Sequence, residues 1–173
     1  GVIAEKAFNT NNPKIIDYVN SNFRNDFLDV YLGAKCAFCV STGLGFDNVP
    51  TIFRRPIVLL VSPLGATGVN REEALLLYKH HILKKEKRRL SLSEIFSYGA
   101  AYALDTKIFE EKGIRLMDNT PEEIKDSVIE MVENIEHKRQ LNSEDEELQK
   151  TFRSLYALNT SRFSHDKEVR EPY

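Results

Sequence analysis

The residues best suited to chemistry stand in one short stretch, Ser41-Thr42-Gly43-Leu44-Gly45, followed closely by Asp47. Two hydroxyls beside two glycines suit an anion. Glycines let a backbone approach a phosphate or a sugar, and N–H groups at the start of a following helix favour negative charge. The same glycines would also serve a tight turn with no ligand. Neither GxxxxGK[ST] nor GxGxxG occurs, so the ATPase and dinucleotide fingerprints are not supported. A second candidate is the run from Lys79 to Arg89, where Lys79, Lys84, Lys85, Lys87, Arg88 and Arg89 face Glu86 alone, with His80 and His81 beside them. Such a run is either a solvated face or a patch for a phosphate-bearing donor, an anionic polymer or an acidic membrane surface. Adjacent histidines cannot share one helical face, so a HxxxH metal pair is absent, and a general-base role for either stays open. Cys36 and Cys39 have no matching pair or His cluster to complete a zinc site, and on one strand they would diverge to opposite faces as reduced thiols.

The elements that must hold the first stretch are legible around it. An apolar run, Cys36 to Val40, leads into the small-residue turn. A short helix follows to Phe53, and a second apolar run spans Pro56 to Val61. This is one βαβ unit, and neither run alternates, as parallel strands covered on both faces require. The turn-rich segment Ser62 to Gly68 follows the second strand, so both loops fall on the carboxyl edge of the sheet, where ligands bind in open α/β folds. Upstream, Lys14 to Val19 reads as a strand or a helical turn. Asp26 to Gly33 reads as a helix capped by Asp26 and ended by Gly33. Downstream, Arg71 to Leu83 is expected to be helical. Ser91 or Ser93 caps a helix reaching Leu104, with Tyr98 and Tyr102 one turn apart on it. Thr106 to Lys112 is a short helix stopped by Gly113, and Ile114 to Met117 is the last strand. Thr120-Pro121-Glu122-Glu123 opens an amphipathic helix carrying Ile124, Val128, Met131, Val132 and Ile135, and Ser143 to Glu146 opens another. The expected organisation is one α/β domain over 1–158 and an irregular or partner-docked tail over 159–173.

Composition sets the outer limits. The 173 residues carry a formal charge of −2, with 42% apolar and 29% charged residues, an ordinary globular balance that does not suggest a nucleic-acid partner. No apolar run approaches the roughly 20 residues that span a bilayer, and no signal-peptide pattern is present, so a cytoplasmic location is expected. The chain opens on Gly1 rather than methionine, which reads as the scar of a tag or as a domain cut from a longer protein, so that a missing N-terminal half is to be considered.

The stretch KIIDYVNSNFRNDFLDVYLGAKCAFCVSTGLGFDNVPTIFRRPIVLL, then LSLSEIF, GIRLMDNTPEEI and DEELQKTF, resembles the glycosyltransferases of bacterial surface-polysaccharide gene clusters. More broadly, the strand, Ser/Thr-Gly turn, helix and Pro-started strand look like the C-terminal half of GT-B glycosyltransferases and related nucleotide-sugar enzymes. The resemblance implies a Rossmann-like three-layer α/β domain with a mostly parallel sheet. In that wider group this half binds the nucleotide-sugar donor, and the N-terminal half holds the glycan acceptor and commonly the catalytic base. Carried over, Ser41, Thr42, Gly43 and Gly45 face the donor phosphates. Several members place an acid further into the helix, where this chain has Val49. Asp47, half a turn earlier, is the nearby acid for ribose or sugar. Lys79 or His80 would neutralise leaving-group charge, and no metal or other cofactor is implied. Two alternatives stand beside this reading. One is a non-catalytic interaction domain that docks a partner or the inner membrane face through the basic patch. The other is a nucleotide-sugar epimerase or hydrolase of similar architecture.

Overall fold

The structure, a computed structural model, describes residues 6–43, 45–61, 74–138 and 142–164. They form an α/β chain of helices with two small sheets. By its contacts the chain divides into two units, one of residues 1–60 and 71–76, the other of 61–70 and 77–173.

In the first unit, α1 (Asp26–Lys35) leads through Phe38 into β1 (Cys39–Ser41). A loop and the five-residue α2 (Asn48–Ile52) follow, then β2 (Ile57–Val61). β1 and β2 are parallel, with Cys39, Val40 and Ser41 opposite Ile57, Val58 and Leu59, so the expected βαβ unit is present. Ile57, Val58 and Leu59 are all buried, which explains why this strand does not alternate. β3 (Ala74–Tyr78) lies on the far side of β2. Its run of Ala, three Leu and Tyr is a strand rather than the helix expected over Arg71 to Leu83. The apolar run has no polar face at helical period, and a neighbouring strand takes its backbone donors and acceptors. Residues 62–73, including the turn-rich segment expected beside the Ser41 loop, lie outside the described residues.

Three local expectations change here. The cap of α1 is Asn25, whose side chain accepts from the Leu28 amide, and Asp26 is the first residue inside. Gly33 does not end the helix. It is buried within α1, where an added Cβ would meet Val49 Cγ1 at 2.8 Å and Phe46 Cζ at 3.3 Å, so the missing side chain lets α2 and its loop approach. Lys14 to Val19 is neither strand nor helix, and the Ile15 amide closes a turn onto Asn12 O.

In the second unit, β4 (His80–Leu83) pairs antiparallel with β5 (Arg88–Arg89) through the turn at 84–87, and antiparallel with β6 (Ile114–Met117). A single, mostly parallel sheet is therefore not what these strands build. α3 (Leu92–Ser97) starts with a capping box between Ser91 and Glu94, which settles the choice between Ser91 and Ser93. It stops well before Leu104, because Gly99 takes a left-handed conformation and Ala100 bonds back to Ile95 O. α4 (Thr106–Glu111) and α5 (Pro121–Ile135) match their signals, the latter with a Thr120–Glu123 box and Pro121 in its first turn. α6 (Ser143–Ser164) is capped by Asn142, not Ser143, through Asn142 Oδ1 and the Asp145 amide, and it carries the helix into the segment expected to be irregular from Asn159. Among the described residues, no helix is long and apolar enough to cross a membrane.

The core of this unit gathers Leu83, Leu90, Ile95, Phe96, Ala100, Ala101, Ala103, Phe109 and Ile114, with Tyr102 and Phe152 packed against it. His81 lies within it, 1% exposed, its ring beside Tyr78 and Phe109. Its Nδ1–H donates to Lys79 O at 2.9 Å, which leaves Nε2 as an acceptor with no partner among the described residues. Burial pushes this imidazole below its ordinary value and keeps it neutral.

Two outcomes follow from these contacts. Gly33→Ala should destabilise the chain by about 1–3 kcal/mol through overpacking, measured by urea denaturation, and Val49→Ala should recover part of that loss in the double variant. A double variant whose loss equals the sum of the two singles would refute the clash. His81 binds a proton more readily unfolded than folded. Its contribution to stability is therefore present above the unfolded value near 6.5 and is lost as pH falls below it. Between about pH 6.5 and 5, stability should fall more steeply in the natural chain than in His81→Phe, which keeps the ring packing without the proton site. Parallel pH profiles would show that His81 does not titrate against folding.

Candidate functional site

The candidate loop begins at Ser41, the last residue of β1, and so stands at the carboxyl edge of the parallel pair. Gly43 and Gly45 have φ of 78° and 101°, conformations that side chains with a Cβ rarely adopt, which explains both glycines. Their amides are engaged within the loop: Gly43 N–H donates to Ser41 Oγ at 3.1 Å and Gly45 N–H to Asp47 Oδ1 at 2.8 Å. Asn48 Nδ2 adds a bond to Gly45 O. Thr42 is exposed, and Leu44 lies outside the described residues. The two glycine amides are therefore satisfied within the loop. A phosphate placed here would have to displace a hydroxyl and a carboxylate. Val49 points to Gly33 rather than to open space, so it serves helix packing.

Beside the loop lies a groove of about 560 Å³, lined chiefly by Leu32, Phe38, Cys39, Val40 and Phe46, and reaching Cys36 and Gly33. Its wall also carries a polar trio that the sequence did not single out. Asp29, in the first turn of α1, accepts from Tyr18 Oη at 2.7 Å and from Arg24 Nη2 at 3.2 Å. These two donors, the tyrosine foremost, hold the Asp29 carboxyl below its usual range, while desolvation and then the carboxylate push the Tyr18 phenol up. Neither group is placed to exchange a proton near neutral pH. The trio is a fixed polar edge on an apolar groove, suited to orienting a ligand. The only local signal was Asp29 near a helix start, which also describes an ordinary surface acid.

Cys36 and Cys39 both reach the groove. Cys36 is not on the strand as expected: it follows α1, donating its amide to Leu32 O and its thiol to Gly33 O, while Cys39 opens β1. Burial pushes both thiols up, against a smaller lowering of Cys36 by Arg55. They are poor nucleophiles in this state.

The basic run begins at Lys79, between β3 and β4, and continues through the hairpin turn into β5, with both lysine-arginine charge and carboxylate partners along it. Lys79 reaches Asp118 Oδ1 at 2.6 Å, and His80 Nε2 reaches Glu123 Oε2 at 2.9 Å, with Arg89 at 3.7 Å from the same carboxylate. Arg88 forks onto both oxygens of Glu94 at 2.7 and 2.9 Å and also meets Glu86, which drives the Glu94 carboxyl down to about 2. Only Lys84, Lys85 and Lys87 are without a carboxylate partner among the described residues of the run. His80 and His81 are consecutive in β4, so one is turned to Glu123 and the other to the core. Lys79 and His80 belong to the second unit, and neither lines the groove. Among the described residues, no three His, Cys, Asp or Glu side chains gather as a metal site would require.

The two cysteines are the only ones in the chain, which makes them direct reporters. Each unit of pKa elevation lowers the thiolate fraction roughly tenfold near neutral pH. Alkylation at pH 7.5, followed by mass, should therefore be at least several-fold slower in the folded chain than in urea, with the gap narrowing above pH 9. Equal rates in the folded and unfolded chains would contradict the burial of these thiols. Compared with protein-family models, curated proteins and solved structures, the chain shows no match to any of them.

Proposed function

We propose that this chain is the donor-binding part of a glycosyltransferase of surface-polysaccharide assembly, built on the Rossmann-like plan of the C-terminal half of a GT-B enzyme and working in the cytoplasm. The observation that carries the reading is the parallel β1–loop–α2–β2 unit, whose glycine loop at the carboxyl edge adjoins an apolar groove through Val40 and Phe46. Its sequence is also the most specific part of the resemblance.

In this reading the nucleobase enters the groove against Phe46, with Tyr18, Arg24 and Asp29 as its polar edge. The phosphates take the Gly43 and Gly45 amides after Ser41 Oγ and Asp47 Oδ1 rotate away. Asp47, released, accepts from a hydroxyl of ribose or sugar. Thr42 adds a donor from the open side of the loop. The chemistry is displacement at the anomeric carbon: an acceptor hydroxyl oxygen forms the new bond, and the bond to the nucleotide phosphate breaks with its electrons on the leaving oxygen. The acceptor and the base that removes its proton come from the N-terminal half. Lys79 and His80 are committed to Asp118 and Glu123, so the reading gives them no part in donor binding.

Calorimetric titration of the chain with UDP, GDP, CDP and CMP tests this. One nucleotide should bind saturably, with a dissociation constant on the order of 1 mM or tighter, equivalent to about −4 kcal/mol. Binding should vanish in Gly43→Val, where a β-branched residue cannot hold the loop's φ, while circular dichroism stays unchanged. The same nucleotide should slow alkylation of Cys36 and Cys39. A folded chain that binds none of the four would sink the reading.

A further inference from the structure

We propose that the end of α2 is a membrane-docking tip that rests on an anionic lipid surface. Ile52 is 75% exposed and Phe53 is 51% exposed, two large apolar residues side by side at a helix end. Arg54 and Arg55 follow directly. Arg55 Nε donates to Ala34 O at 2.7 Å, which brings the end of α1 and its exposed Lys35 to the same place. Lys35, Arg54 and Arg55 have no carboxylate partner among the described residues, in contrast to Lys79, His80, Arg88 and Arg89 in the second unit. Asp47, the one acid between Gly33 and Val61, sits at the other end of α2.

The backbone supplies an independent observation. α2 ends in a Schellman motif, with Arg55 N–H to Pro50 O at 2.8 Å and Arg54 N–H to Thr51 O at 3.0 Å. Its left-handed position, where glycine is the favoured residue, holds Arg54 at φ 53°. A residue strained in this way at an exposed turn points to a use for its side chain. Arg54 follows directly on two exposed apolar residues, the combination that enters a headgroup layer, with cations on phosphates and apolar groups at the acyl boundary. A protein partner of ordinary affinity covers about 800 Å² on each side, far more than a single helix end offers, whereas a bilayer needs no shaped complement. The tip leads into the amino end of β2, at the sheet edge opposite the Ser41–Gly45 loop, and does not depend on the donor-site reading.

The test is sedimentation of the chain with vesicles of about three parts phosphatidylcholine to one part phosphatidylglycerol, against phosphatidylcholine alone. The chain should bind the anionic vesicles only and release them at about 0.5 M salt, where charges are screened within roughly 4 Å. Arg54→Gly should weaken binding roughly fivefold, the change expected for one cation at such a surface, with a melting temperature unchanged or raised. Ile52→Ser combined with Phe53→Ser should abolish binding, and both variants should keep the nucleotide response of the natural chain. The proposal is overturned if the folded chain ignores both vesicles, or if both variants bind like the natural chain. It is equally overturned if binding is lost only in Lys84→Ala/Lys85→Ala/Lys87→Ala, which would move the contact to the hairpin.

Discussion

Ile57, Val58 and Leu59 are consecutive in β2 and all out of water, and the geometry of the first unit depends on that burial. A strand exposes successive side chains to opposite faces, so three buried neighbours require cover on both sides at once. At roughly 2 kcal/mol for each fully buried aliphatic side chain, the demand is large enough to fix β1 beside it in parallel register. Parallel register in turn requires a crossover, and the crossover is the loop and α2. Gly33 completes the arrangement by removing the one side chain that would hold α2 away from α1.

The loops and helix ends are then closed by short side chains and a few left-handed residues. Asn25, Ser91, Thr120 and Asn142 take up amides at helix starts, and Ser41 and Asp47 do the same inside the candidate loop. A ligand placed at Gly43 and Gly45 would have to exchange one set of hydrogen bonds for another, which limits its net gain. At helix ends, Gly99 and Gly113 carry left-handed conformations without a Cβ, while Arg54 and His137 carry them with one. His137 closes α5 through Lys138 N–H to Glu133 O, in the same way that Arg54 closes α2.

In the second unit, charge is organised by carboxylates at helix starts. Glu94 and Glu123 each serve as the third residue of a capping box and also hold cations from the hairpin: Arg88 for Glu94, His80 and Arg89 for Glu123. One carboxylate thereby joins local helix initiation to sheet position, and a run that looks strongly positive in the sequence is partly neutralised in space.

What the sequence determined by itself were the features whose causes lie within a few residues. The Ser91 and Thr120 capping boxes, Pro121 inside its helix and Gly113 after α4 depend on backbone groups at most about four positions away. Tertiary structure decided whatever depends on distant chain. Ala74 to Leu83 became strands because β2 and β6 offer hydrogen-bonding edges that a local reading cannot see. The partners of Lys79 and His80 stand about forty residues away, at Asp118 and Glu123. Gly33 read as a stop signal because its contact, Val49, belongs to another helix. The Tyr18–Arg24–Asp29 edge likewise exists only where the chain before α1 folds back on it, since each residue alone is unremarkable as a surface polar group. Periodicity and caps record what a residue asks of its immediate backbone, whereas strand pairing, ion pairing and grooves record which distant groups the fold brings to it.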